Sequence, residues 1–213
     1  MRAQASHLVL RIMVVIMLAM TLIGCAPRTQ SLFNGEDLKG WTKRGGEATF
    51  KVEDGCIVGT HGPGANTFLC TTRSYEDFEL ELEFKWDRPG NSGIQFRSHL
   101  RPEDGVVEGY QCELDPSDRG WTCGIYYEGP RGWLAPLDQS PQARAARRLN
   151  DWNEIRIRAK GAHLQTWLNG VPCADLLDRQ GDRSGFIALQ VHSGGTGVMR
   201  WRNITLRRLS ASD

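Results

Sequence analysis

From residue 78 to residue 86 the chain alternates without a break. Phe78, Leu80, Leu82, Phe84 and Trp86 are apolar, and Glu79, Glu81, Glu83 and Lys85 between them are charged. Successive side chains of an extended backbone point to opposite faces, so this period of two describes a strand with one face in a core and one in water. Such a strand needs neighbours and a cover for its apolar side, and the rest of the sequence supplies both. Short runs of similar character occupy Phe50 to Val58, Asn66 to Thr72, Gly93 to Ser98, Tyr110 to Asp115, Gly120 to Tyr127, Trp152 to Lys160, His163 to Leu168, Val171 to Ala174, Phe186 to His192 and Met199 to Leu209. Turn signals such as Pro89-Gly90-Asn91 and Asn169-Gly170 separate them. Pro116 ends the run before it, because proline cannot donate to a ladder. The one helix signal is Ser140-Pro141, with Ser140 as N-cap and the helix running to about Arg148. The pattern is that of an all-β sandwich or barrel.

The N-terminus reads differently. Arg2 and Arg11 flank a basic start, Ile12 to Ile23 is almost wholly apolar, and Leu22-Ile23-Gly24-Cys25 follows. The apolar stretch is about half of the roughly 20 residues a spanning helix needs. The pattern is that of a bacterial lipoprotein signal: residues 1–24 are removed, Cys25 carries lipid, and residues 25–31 form a tether to a single domain at 32–210. Ala26-Pro27 lacks the Asp that holds many such proteins at the inner membrane, so the expected address is extracytoplasmic, on an outer membrane facing the periplasm where the cell has one. That compartment permits disulfides among Cys56, Cys70, Cys112, Cys123 and Cys173. Cys112 with Cys123, and Cys56 with Cys70, fall on runs that could be stapled as hairpins, or they are small buried hydrophobes; Cys173 is the candidate free thiol. A formal net charge of +1 with interspersed acids and bases leaves no nucleic-acid footprint. Arg144, Arg147 and Arg148 are expected on a solvated helix face.

Strand parity also gathers polar groups. Gln95 and Arg97 oppose Ile94 and Phe96; Gln190 and His192 oppose Leu189 and Val191; Gln111, Glu113 and Asp115 share one side of their run. If these strands are neighbours, their polar sides make either a solvated outer face or a carbohydrate-like groove holding a base, a cation and several amides. Trp121, Trp133, Trp152 and Trp167 lie near strand ends, where an indole can stack on a sugar or join the core. Glu113, Asp115 and Asp118 have the outline of the E-x-D-x-x-E strand of retaining glucanases, with Asp118 one methylene short and Pro116 interrupting. That chemistry needs two carboxyls about 5–5.5 Å apart.

Taken in order, the motifs resemble the 3-keto-disaccharide hydrolase family. They are Leu32-Phe33-Asn34-Gly35 with Gly40-Trp41, Asn91-Ser92-Gly93-Ile94 with Phe96-Arg97, Gly109 to Asp115, Gly124-Ile125-Tyr126, Arg131-Gly132-Trp133-Leu134, Trp152-Asn153, Trp167 to Gly170, Gly185 to His192, and Arg202-Asn203-Ile204. The resemblance covers about residues 31 to 209. It implies a concanavalin A-like β-sandwich jelly roll with at most one or two short helices, and an exported enzyme acting on glycosides already oxidised at C3 by a partner sugar 3-dehydrogenase. The chain departs from the family at Tyr127, where Asp is common, and at Cys123 and Pro130, so the loop from Tyr127 to Arg131 is expected to reshape the pocket.

A C3 ketone acidifies the hydrogen on C2. A base removes it, an enolate forms, the C1 substituent leaves, and water adds. Such a site needs a base, a cation for the enolate and an acid for the leaving group. The candidates are Glu113 or His192 as base, Arg97 for the enolate, Asp115 as acid or as the partner that tunes His192, and Gln95, Gln111, Gln190, Asn91, Tyr126 and Trp133 to bind sugar. Arg97 as a buried ion-pair partner of Glu113, and Asp115 as a strand-end support, are the structural alternatives. No cofactor is required. A divalent metal in place of Arg97 would have Glu113, Asp115 and His192 as ligands, without support from their spacing. Two other functions compete: a non-catalytic lectin-like module, and an ordinary retaining glycosidase using Glu113 and Asp118.

Overall fold

The computed structural model describes residues 29–213; the basic start, the apolar run and Cys25 lie outside them. Fifteen strands are described: β1 Thr29–Ser31, β2 Trp41–Gly45, β3 Thr49–Glu53, β4 Cys56–Thr60, β5 Thr67–Thr71, β6 Phe78–Arg88, β7 Ser92–Leu100, β8 Val107–Leu114, β9 Ile125–Glu128, β10 Gly132–Ala135, β11 Asn153–Lys160, β12 His163–Leu168, β13 Val171–Leu177, β14 Phe186–Val191 and β15 Val198–Arg208. They form two antiparallel sheets. One runs β13-β12-β11-β6-β15-β4-β3, with β1 added beside β15; the other runs β10-β9-β8-β7-β14-β5-β2.

The alternating segment becomes β6, at the centre of the first sheet. Phe78, Leu80, Leu82, Phe84 and Trp86 face inward with Ile155 and Ile157 of β11 and Met199, Trp201 and Leu206 of β15. Ile94, Phe96, Tyr110, Cys112, Leu114, Ile187 and Leu189 close the core from the second sheet. The acids of β6 lie on the outer face, where Glu79 pairs with Arg207 (3.4 Å) and Glu83 with Arg202 (2.6 Å). This back face is the solvated surface that alternation usually means. It also holds Trp152, under Arg202 at 3.8 Å, and Trp167, under Arg156 at 3.8 Å.

Several boundaries differ from the sequence expectation. Thr29–Ser31 is not tether but β1, in register with Thr205 to Arg207. The run Phe50 to Val58 is a hairpin, β3–β4, and β5 belongs to the other sheet. Cys56 and Cys70 therefore lie in different sheets. All five cysteines among the described residues are free thiols: Cys56, Cys70, Cys112 and Cys123 are buried, and Cys173 is partly so. The helix, α1, spans only Pro141–Ala145, and the Ser140 side chain makes no capping bond. Arg144 and Arg147 are not merely solvated: Arg144 Nε donates to Arg119 O (2.9 Å) and Arg147 Nη2 to Ser117 O (2.8 Å).

The largest departure is at Arg97. Strict alternation would align it with Gln95, but the β7–β8 register shifts between Phe96 and His99, and Arg97 takes φ +47°. This bulge turns the side chain to a different part of the sandwich. There Arg97 is 0% exposed; it donates to the carbonyls of Glu76 (2.7 Å) and Gly161 (2.7 Å) and pairs with Asp77 (2.8 Å). It touches neither Glu113 nor the polar face, so it is a structural cation and not the electrophile expected from parity. Truncating one side of such a pair strands the rest of it. Arg97→Ala is expected to cost about 3 kcal/mol of stability, read as a lower denaturation midpoint in urea; an unchanged midpoint would contradict this placement.

Candidate functional site

The outer face of the second sheet carries the groove. Registers Gly93↔Glu113 and Gln95↔Gln111 on β7–β8, Gln190↔Gly93 on β14–β7 and Gln111↔Tyr126 on β8–β9 put Glu113, Gln111, Gln95, Gln190 and Tyr126 on one side. Gly93 makes this possible: a Cβ there would lie 2.3 Å from Cδ of Gln111, which crosses β7 at that point. A pocket of about 380 Å³ opens on this face, lined by Asn66, Asn91, Gln111, Glu113, Arg119, Tyr126, Glu128, Trp133 and His192.

Glu113 forms its floor, only 4% exposed. Its Oε1 accepts from Asn91 Nδ2 (2.6 Å) and Arg119 Nη2 (3.2 Å), and its Oε2 from Gln111 Nε2 (2.8 Å). Burial pushes its pKa up, against the pull of Asn91, Gln111 and Arg119. Gln95 sits below, fully buried; it donates to Gln111 Oε1 (2.7 Å) and accepts from Ser98 (2.9 Å), so it supports the floor and does not line the pocket.

Arg119 stands where Arg97 was expected. The loop after Leu114 turns on Asp115, whose carboxylate accepts from Ser117 N (3.0 Å), Ser117 Oγ (2.6 Å), Arg119 Nε (2.7 Å) and Trp121 N (3.1 Å). Burial pushes Asp115 up, but these donors outweigh it and leave the pKa below the ordinary carboxylate value. A carboxylate so occupied has no proton to give. Asp115 is neither the acid nor a partner of His192; it aims Arg119, whose guanidinium also lies over Trp121 (4.7 Å) and Trp133 (5.0 Å). Its folded pKa is depressed, so its contribution to stability is complete above the unfolded carboxylate pKa and is lost as pH falls through the folded value. Asp115→Ala should cost about 2 kcal/mol at neutral pH and less in acid; equal costs at both pH values would refute the linkage. Asp118 is exposed and absent from the pocket lining, so the Glu113–Asp118 glycosidase pairing does not form.

The far wall was not foreseen. Glu128 belongs to β9, two residues after Tyr126 and on the same face. Its Oε1 accepts from Asn66 Nδ2 (3.1 Å) and its Oε2 from Gln190 Nε2 (3.1 Å). Burial raises its pKa, opposed by Asn66, His192 and Gln190. Gln190 is fully buried, and its Oε1 has no hydrogen-bond partner among the described residues. His192 stands beside this wall, exposed at the end of β14; its Nδ1 lies 2.6 Å from Ser193 O, which fixes that nitrogen as the donor and leaves Nε2 as the basic lone pair. Tyr126 and Trp133 pack edge to face at 5.2 Å on the opposite side.

The structure thus brings together Asn91, Gln111, Glu113, Tyr126, Trp133 and His192, puts Gln95, Gln190 and Asp115 in support, and removes Arg97. The additions are Arg119, Glu128 and Asn66. Parity from Tyr126 was enough to find Glu128; Arg119, in a loop, carried no such signal. Tyr127 is not a pocket residue: it packs inward on Tyr110 and donates to Asp182 (2.8 Å). Trp152 and Trp167 are on the opposite sheet, and among the described residues no three His, Cys, Asp or Glu side chains converge as a metal-holding group.

A "3-keto-disaccharide hydrolase" of Bacteroides thetaiotaomicron is 26% identical over 132 residues, 56% of this chain and 41% of that protein, so the match spans less than half of the relative. Among solved structures, a candidate glycosyl hydrolase from Parabacteroides distasonis superposes with a TM-score of 0.63 at 20% identity, covering 85% of this chain and 94% of its own. A Bacillus subtilis protein with a galectin-like fold gives 0.65 at 13%, covering 86% and 96%. A carbohydrate binding module, CBM66, from Bacillus subtilis gives 0.57 at 18%, covering 79% and 95%. These likenesses fix the fold as a lectin-like jelly roll. The profile of the 3-keto-alpha-glucoside-1,2-lyase-like domain matches residues 28–207, nearly the whole of the described chain, and the protein belongs to that family.

Proposed function

We propose that the protein cleaves 3-keto-glycosides by elimination across C1–C2 followed by hydration, with His192 as base, Arg119 as the enolate's cation and Glu128 as the acid. The observation that carries this is the pocket itself: an imidazole with a free Nε2, a guanidinium and a carboxyl raised by burial line one cavity floored by Glu113, Asn91 and Gln111. His192 Nε2 takes the proton from C2, and the pair left behind forms the enolate with O3, held by Arg119. The enolate reforms the ketone as the C1–O bond breaks, giving a C1–C2 double bond. Glu128 gives its proton to the departing oxygen. Water then adds, with its oxygen to C1 through Glu128 as base and a proton back to C2 from His192. The net change is hydrolysis. Glu113 and Gln111 bind sugar hydroxyls, and Trp133 offers a face for the ring.

Offering methyl 3-keto-α-glucoside and methyl α-glucoside to the folded protein tests the scheme. Methanol release from the keto compound alone is expected. Release from the unoxidised glycoside would favour an ordinary glycosidase built on Glu113 and Glu128, and saturable binding without release would favour a lectin. Because the step needs Glu128 protonated, kcat should fall as pH rises through its raised pKa, and Glu128→Gln should be slower and lack that limb; a descending limb retained in Glu128→Gln would remove Glu128 from the role.

The N-terminal sequence supports an extracytoplasmic address with lipid on Cys25. Cys25→Ser should move the protein from the membrane to the soluble fraction and abolish labelling by a fatty acid; unchanged fractionation would refute the anchor. An address where free nicotinamide cofactor is scarce suits a hydrolase that leaves the oxidation of its substrate to a separate 3-dehydrogenase.

A further inference from the structure

Glu128 does more than close the sugar pocket. Pinned by Asn66 and Gln190, its carboxylate divides the sheet face, and a second cavity of about 560 Å³ lies beyond it. The two cavities share Asn66, Glu128 and His192 and are otherwise lined differently. The first is a wall of amides, carboxyls and a guanidinium. The second adds an apolar side of Ala65, Phe68, Val106 and Val107 beside Asp104 and Ser193, above a small apolar cluster that Phe68, Cys70, Val107 and Ala188 form on this face, apart from the main core.

The loop that completes it is built to hold an apolar side chain in water. Arg101 N donates to Val106 O (2.8 Å), Gly105 N to Arg101 O (2.8 Å) and Val106 N to Asp104 Oδ1 (3.1 Å), while Arg101 Nε holds the same Asp104 oxygen (3.0 Å). On this fastened turn Val106 stays 47% exposed. An exposed valine on a pinned loop, lining a cavity together with Phe68, presents apolar surface that a ligand can cover. Asp104 and Asn66 are already engaged, Asp104 by Arg101 and Asn66 by Glu128 and by Ser193 N (2.9 Å), while Glu128 and His192, which border both cavities, are given to the reacting bonds in the reading above. A second sugar ring, with a hydroxyl on nearly every carbon, would find few partners there. An aryl or alkyl group would not need them.

We propose that this cavity receives the group released from C1, and that the preferred substrates are 3-keto-glycosides of aromatic or alkyl alcohols rather than 3-keto-disaccharides. The inference rests on the reading given under Proposed function, because it places Glu128 at the scissile bond with sugar on one side and leaving group on the other.

The test compares phenyl 3-keto-α-glucoside, methyl 3-keto-α-glucoside and a 3-keto-disaccharide on the full chain and on Val106→Asp. The unaltered chain should show kcat/KM at least about tenfold higher for the phenyl compound than for either other. Val106→Asp should shrink that preference about tenfold. Equal rates for the three, or a preference that Val106→Asp leaves intact, overturns the proposal. Calorimetric binding of unoxidised phenyl and methyl α-glucoside supplies an arm that needs no turnover. Tighter phenyl binding that Val106→Asp abolishes supports the cavity even if no keto compound is cleaved, a result that would sink the proposed reaction alone. Indifference to the phenyl group in both assays sinks the cavity and leaves the reaction standing wherever the methyl compound is cleaved.

Discussion

Arg119→Ala is expected to lower kcat on a 3-keto-glucoside by about 100-fold or more, the usual loss when one pre-aimed donor to a developing oxyanion is removed. The guanidinium is held by Asp115 and Glu113 and lies over Trp121 and Trp133, so it is already placed before substrate arrives. Fixed charge costs no reorganisation as the enolate forms, which is why its loss should appear in kcat more than in KM. Arg119→Lys should recover little, because an ammonium can neither bridge two carboxylates in the same fork nor stack in the same way. The side chain is 40% exposed, so the fold should survive with a Tm close to the parent's. A variant that unfolds would show Arg119 to be structural, and one with unchanged kcat would return the electrophile's role to another group. Arg97→Ala makes the contrasting case, since its loss falls on stability, Arg119 standing in the place that strand parity assigns to Arg97.

His192→Ala should cost about 100- to 10,000-fold in kcat, the range for removing a positioned general base. The Nδ1–H directed at Ser193 O leaves Nε2 as the only basic site of the ring, and among the described residues no hydrogen-bond partner occupies it. His192→Gln keeps a hydrogen-bonding tip without a useful basicity, so it should retain binding of the keto compound and still fail to exchange its C2 hydrogen. Solvent deuterium exchange at C2 is the decisive readout, because it reports deprotonation whether or not the C1 substituent leaves. Exchange at the parental rate in His192→Gln would move the base to Glu113. In that event Glu113→Gln should abolish exchange, whereas with His192 as base it should only weaken binding and disturb Arg119.

The relation between chain and site follows from how far each signal reaches. On β8 the alternation Gln111, Glu113 holds because both neighbouring strands stay in register there, and the site keeps both residues. On β7 the same rule succeeds at Gln95 and fails two residues later. The bulge at Arg97 is set by pairing with β8 and by the carbonyls of Glu76 and Gly161, which come from distant parts of the chain. Asp115 shows a different failure: its residue type suits an acid, but its local turn consumes the carboxylate. The pairing of Cys56 with Cys70 failed for a topological reason, as β4 and β5 are consecutive in sequence yet belong to opposite sheets.

The residue pattern by itself determined an all-β fold, the inward and outward faces of its strands and the amide and carboxylate floor built from Gln111 and Glu113. These follow from period-two geometry, which needs only neighbouring residues. Tertiary structure decided which arginine serves the site, which carboxyl stands across from Glu113, and that a second cavity with an apolar side of Phe68, Val106 and Val107 adjoins the first. Those depend on bulges and on loops brought together from separate strands, and on burial, which sets a carboxyl's proton affinity only after the strands and loops around that outer face have assembled.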